Sequence, residues 1–110
     1  MANKYFRSAS VPLANTETSL YVVPAANVAL LKSLRVTNDS GERASIFVSQ
    51  YDEGDPPEHK LLNGFVLGIG ASFDVFNGIT CVLQESDELT VTSSKADVTF
   101  YLSYLEMDRN

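Results

Sequence analysis

From Thr18 onward the chain runs in short stretches where apolar and polar residues alternate, separated by clusters of Gly, Pro, Asn, Asp and Ser. Period-two alternation places successive side chains on opposite faces of a strand. "TSLYVV" (18–23) reads as a strand that stops at Pro24. In Leu30–Thr37, Leu34 and Val36 fall on one face and Ser33, Arg35 and Thr37 on the other. "NDSGE" reads as a tight turn, and "RASIFVSQY" returns with Ile46 and Val48 opposed to Phe47, so residues 30–52 are expected to form a hairpin. Tyr51–Lys60, with two prolines, one glycine and four acids, reads as a loop. Beyond it come "LLNGFVLGIGAS", a short strand broken by Gly64, Gly68 and Gly70, and then "SFDVF", with Phe73 and Val75 on one face. The turn Asn77–Gly78 leads to "ITCVLQ", the turn "ESDE" and "LTVTSS" with Leu89 and Val91 inward. The closing "DVTFYLSYLEM" aligns Val98, Phe100, Leu102 and Tyr104.

Seven or eight short strands with turn signals every eight to twelve residues predict an all-β fold, a single antiparallel β-sandwich of jelly-roll type. "VPAANVALLKSL" is the nearest approach to a helix, and its alternation from Val28 favours a strand. The sandwich is expected over residues 18–107. Residues 1–17, with Tyr5, Phe6, Val11 and Leu13 scattered among polar residues, form an extended N-terminal arm or strand. Two readings of that segment stand side by side: a frayed terminus, or an arm docked on a neighbouring copy through Tyr5 and Phe6.

Size and charge narrow the function. A chain of 110 residues suits one domain that needs no staple. No segment reaches the ~20 apolar residues of a membrane helix, and the charged start "MANKYFRSAS" has no apolar run behind it, so synthesis and folding in a cytosol are expected. The net charge of −6 argues against nucleic acid and anionic membranes as partners. The charge is uneven: residues 1–38 sum to +3 and residues 39–110 to −9. That asymmetry either favours head-to-side contacts between copies or is without consequence.

Candidate chemistry is sparse. His59 is the only histidine, and it lies in the acidic stretch, where a solvent-exposed imidazole needs no catalytic explanation. Cys81, the only cysteine, sits between apolar neighbours and reads as a small buried hydrophobe. One Cys and one His do not make a usual zinc site. Asp52, Glu53, Asp55 and Glu58 lack the spacing of an EF-hand calcium loop and read as a solvated acidic loop, with weak calcium binding by residues 51–60 left open. "GFVLGIG" lacks the order of a nucleotide-binding glycine loop. No catalytic residue, metal ligand or cofactor is assigned, and the protein is expected not to be an enzyme.

Three stretches carry a resemblance: "SLYVVPAANVALLKSLRVTNDSGERASIFV", "LLNGFVLGIGASFDVFNGITCVLQESDELTVTSS" and "VTFYLSYLE". Over roughly residues 19–106 they resemble a small β-sandwich of virion proteins of tailed bacteriophages. The resemblance implies a non-enzymatic structural subunit of a virion, foremost a capsid decoration or cement protein, alternatively a tail, neck or fibre part. It implies a homo-oligomer, with a trimer favoured, and the major capsid protein or another virion protein as partner. A carbohydrate- or receptor-binding sandwich is the competing reading. Apolar residues on the faces opposite the expected core, Phe47, Tyr51, Tyr101 and Leu105, join Tyr5 and Phe6 as candidate subunit contacts.

Overall fold

The computed structural model of the chain describes residues 3–52 and 55–108, with residues 3, 4, 52 and 55–57 described by their backbone alone. Among these residues there is no helix. The strands are β1 (Asn3–Ser10), β2 (Thr18–Val22), β3 (Asn27–Asn38), β4 (Ala44–Asp52), β5 (Asp55–Leu67), β6 (Ser72–Asp74), β7 (Cys81–Leu83), β8 (Glu88–Ser93) and β9 (Val98–Asp108). One sheet has the order β1-β9-β3, with β6 and β7 both paired to β3; the other has the order β2-β8-β4-β5. Every pairing is antiparallel. The chain crosses between sheets at almost every connection, which is the winding of a double-sheet jelly roll. The fold expected from the alternation is therefore present, with β6 and β7 sharing the position of one strand.

The core lies between the sheets. Leu34 and Val36 of β3 with Phe100 and Leu102 of β9 face Ile46 and Val48 of β4 with Leu89 and Val91 of β8, all fully buried. These are the residues that alternation placed inward. At about 25 cal/mol per Å2 of apolar surface removed from water, such layers dominate the stability of the fold.

The segment from Leu30 to Asp52 is not a hairpin. β3 pairs with β9, β6 and β7, whereas β4 pairs with β5 and β8. Residues 39–43 form an arch that carries the chain from one sheet to the other. Asn38 makes this corner. Its side chain is fully buried, and Nδ2 donates to the carbonyls of Glu42 (2.7 Å), Leu67 (3.0 Å) and Gly68 (3.2 Å). Its Oδ1 accepts from Ser40 N (3.0 Å) and Ser40 Oγ (2.7 Å). A polar turn with a glycine is common to hairpins and arches; what distinguishes them here is a buried amide that satisfies one carbonyl of the arch and two at the end of β5.

Asn77–Gly78 likewise joins no hairpin. Both residues have positive φ (49° and 83°), but β6 and β7 lie end to end along β3, opposite Arg35–Thr37 and Ala29–Leu31. The turn is an excursion from one edge position.

The stretch 51–60 also departs from its reading as a loop. β4 extends to Asp52 and β5 begins at Asp55. β5 is an edge strand, and Pro56 and Pro57 fall at a register shift where they have no partner. Prolines are tolerated in such a place because no ladder bond is required of them. The side chains of Asp52, Glu53 and Asp55, on which the calcium reading rested, lie outside the described residues. At the other end of the chain, residues 3–10 form β1, paired along its length with β9 of the same chain.

A β-bulge resets the alternation of β3. The register with β9 shifts between Leu31 and Ser33, so Leu31 and Leu34 both point inward, though they are three residues apart. Leu30 is thereby turned to the outer face.

Candidate assembly surfaces

The outer face of the β1-β9-β3-β7 sheet carries an apolar row. Tyr5 is opposite Leu105, Leu105 is opposite Leu30, and Leu30 is opposite Val82. Four strands thus contribute adjacent apolar side chains on the solvent side of a sheet. Tyr5 is 78% exposed and Val82 52%, whereas Leu105, in the middle of the row, is only 8% exposed. Leu105, expected as a subunit contact, is on the outer face but largely covered. Two rows further along β9, past Ser103, Tyr101 is exposed beside Ala9 and Arg35. An open depression of about 640 Å3 adjoins the apolar row, lined by Tyr5, Arg7, Lys32 and Ser103, with Phe6 and Tyr104.

Phe6 belongs to the other side of β1. It stacks on Tyr104 with ring centroids 5.6 Å apart, and Tyr104 packs on Tyr21 at 4.2 Å. Tyr21 reaches across from the second sheet, and its hydroxyl donates to Glu106 Oε2 at 2.5 Å. Burial, reinforced by the neighbouring Glu106 carboxylate, raises the Tyr21 hydroxyl far above the ordinary phenol range. Phe6 and this buried pair close one end of the sandwich.

The opposite outer face, on the β2-β8-β4-β5 sheet, is acidic and centred on Tyr51. In register, Tyr51 has Glu58 of β5 on one side and Glu88 of β8 on the other. Its hydroxyl donates to Glu17 Oε2 at 2.7 Å, and Thr90 Oγ1 donates to the same oxygen at 2.7 Å. The hydrogen bond to Glu17 pushes the Tyr51 hydroxyl up to about 12. Glu58 accepts from Ser49 Oγ and pairs with Lys60 Nζ at 3.1 Å, and these contacts hold its carboxyl below the usual range. Two depressions of about 340 and 370 Å3 share Glu17 and Tyr51. Phe47 lines the second, half-buried over Gly64, where an added Cβ would sit 3.6 Å from the ring. Gly64 has a φ of +82°, so a side chain here would be strained by the backbone, although the Phe47 ring leaves room for a Cβ at contact distance.

The six candidate contacts therefore divide. Tyr5, Tyr101 and Leu105 share one outer face, Phe47 and Tyr51 the opposite one, and Phe6 lies on the inner side of β1 over Tyr104 while staying 41% exposed. Glu17, Glu88 and Thr90 were not singled out in the sequence, and Glu58 only as one acid of the 51–60 stretch; the one further signal is that Glu17 is the sole acid of residues 1–38. Cys81 is half-buried on β7 against the core, where burial raises its thiol pKa and reduces thiolate character. His59 is exposed on β5, in register with Gln50.

These features define a jelly-roll module with two broad, chemically different outer faces. No family model and no curated protein sequence matches the chain. Among solved structures, the chain is similar to a protein of Bacillus endospore appendages, which form disulfide-linked pili: 13% identity, TM-score 0.61, covering 99% of this chain and 88% of that one. It is also similar to infectious bursal disease virus proteins. For the Gx strain the values are 12% identity, TM-score 0.55 and 96% of this chain against 30% of that one. For the T13 viral particle they are 11%, 0.54 and 97% against 35%. The chain spans about a third of those virus proteins. At such identities the likeness is one of fold, a β-sandwich shared with fibre and capsid proteins, and it does not point to tailed phages in particular.

Proposed function

We propose that this protein is a non-enzymatic structural subunit that assembles with copies of itself into a particle or filament. The observation that carries the reading is the apolar row Tyr5–Leu105–Leu30–Val82 on the solvent side of a sheet. Single exposed apolar residues are ordinary, but a row spanning four strands is a feature of interaction surfaces. The fold shared with a pilus protein and with viral capsid proteins supports the same reading. The pilus protein is the more informative of these, because it and this chain cover each other almost end to end.

A finer reading is that the assembly is a virion and the protein a decoration or cement subunit, bound to a capsid protein and favouring trimers. The fold shared with capsid proteins and the resemblance of residues 19–106 to phage virion sandwiches support it. Stoichiometric binding to purified capsids with a rise in their thermal stability is its expected result, and indifference to capsids removes it.

The general reading is tested by light scattering behind size-exclusion chromatography over a wide concentration range. The monomer is 12.0 kDa. A trimer or larger species is expected, and replacement of Tyr5 and Val82 by Ser should reduce it while leaving the β-sheet circular dichroism intact. A monomer at every concentration overturns the proposal.

A further inference from the structure

We infer that copies of this chain stack heterologously, with the outer face of the β1-β9-β3-β7 sheet of one copy seated on the outer face of the β2-β8-β4-β5 sheet of the next. The inference rests on the assembly reading above and names its partner surfaces. Its basis is charge complementarity. Arg7, Lys32 and Arg35 are all exposed on the first face: Arg7 opposite Ser103, Lys32 at the bulge of β3, and Arg35 opposite Tyr101. Glu17, Glu58 and Glu88 surround Tyr51 on the second face, where Lys60 is already paired with Glu58. The uneven charge along the sequence thus becomes two oppositely charged faces on opposite sides of the sandwich.

The faces also match in kind. The basic face supplies Tyr5 and Val82, and the acidic face exposes Val22 beside Glu88 and half-exposes Phe47. The molecule measures 46 × 27 × 21 Å, so a broad face offers about 1,200 Å2, more than the ~800 Å2 per partner of a standard interface. Pairing like with like would set each face's dominant charge against itself, Arg7, Lys32 and Arg35 offset by Asp74 opposite Arg35, or Glu17, Glu58 and Glu88 offset by Lys60, which charge repulsion disfavours. A contact between two different surfaces repeats, so it closes into a ring or continues as a fibre. Exposed charge pairs chiefly orient the approach and select the partner, while apolar contact holds it.

The test uses two charge-reversed forms of the full chain, Arg7→Glu/Lys32→Glu and Glu17→Lys/Glu88→Lys, read by light scattering and circular dichroism. Each form alone presents two faces of one sign. Each is expected to lose assembly and run at the 12.0 kDa monomer mass. Mixed in equal amounts, the two are expected to regain the wild-type mass, because every face again finds its opposite. This rescue separates a lost contact from a lost fold. Raising salt to about 1 M, where the Debye length is about 3 Å, should weaken wild-type assembly. If wild type assembles and both variants assemble equally well alone, or if mixing restores nothing, the stacking is wrong and the assembly reading survives. A wild type that stays monomeric throughout overturns both.

Discussion

Asn38 sets the sharpest quantitative test of how this fold is held. Replacing it by Ala removes a fully buried amide that donates two protons to three carbonyls and accepts from Ser40 N and Oγ. The carbonyls of Leu67 and Gly68, at the end of β5, lose their side-chain partner from β3, and the arch from β3 to β4 loses its tie. Counting the two donated protons and the two accepted bonds at about 1 kcal/mol each, less what water returns to the half-exposed Ser40 side, gives a cost of about 3 kcal/mol. That is a large part of the 5–15 kcal/mol typical of a domain. With an unfolding entropy of about 2.1 cal/mol/K per residue, it corresponds to a fall in Tm of roughly 13 °C. Urea titration and differential scanning calorimetry would read both values. Asn38→Asp adds a sign. Its carboxylate would face three carbonyls in a buried site, so its folded pKa would lie above the unfolded one. Its stability should then be greatest at low pH and decline as pH rises through the folded pKa. At neutral pH it should be at least as unstable as Asn38→Ala. A loss below about 1 kcal/mol for Asn38→Ala, or an Asn38→Asp variant as stable as wild type at neutral pH, would refute the corner argument.

Three further outcomes are expected. The Tyr51 hydroxyl, held up to about 12 by Glu17, should ionise closer to the ordinary value of about 10 in Glu17→Gln, as followed by phenolate absorbance. Because the folded pKa is raised, the stabilising contribution of this contact is complete below the unfolded pKa and is lost as pH climbs through about 12. Ala26 has a φ of 66°, so Ala26→Gly should stabilise by about 0.5 kcal/mol, the relief of left-handed strain exceeding the added chain entropy; a destabilised variant in thermal melts would contradict this. Phe100→Ala, at the centre of the core, should cost about 3–5 kcal/mol by urea titration, through lost burial and the cavity left behind.

Much of the fold was legible in the chain because inward positions repeat every second residue. Ile46 and Val48, Leu89 and Val91, and the run Val98–Tyr104 all lie where alternation placed them. The error at residues 30–52 has a clear cause. Local sequence reports that the chain reverses at Asn38–Arg43, but not whether the two strands then pair with each other or with β9 and β8. Residues 51–60 depart from a loop for a related reason, since prolines disqualify a central strand but not an edge strand, and only the sheet order reveals which β5 is.

The outer faces mark the boundary between the two kinds of information. The sequence by itself determined an all-β chain, the identity of its core and an imbalance of +3 against −9 between its segments. It also placed Phe47, Tyr101 and Leu105 on the side of their strands away from the core. Only the tertiary structure decided which of these share a surface. The bulge at Leu31–Ser33 turned Leu30 outward to complete the apolar row, and the crossing of the chain between sheets gathered Glu17, Glu58 and Glu88 around Tyr51. The physical reason is that alternation is a property of neighbours along the chain, whereas a surface is made by strands brought side by side from distant parts of it, such as Tyr51 and Glu88 or Tyr5 and Leu105.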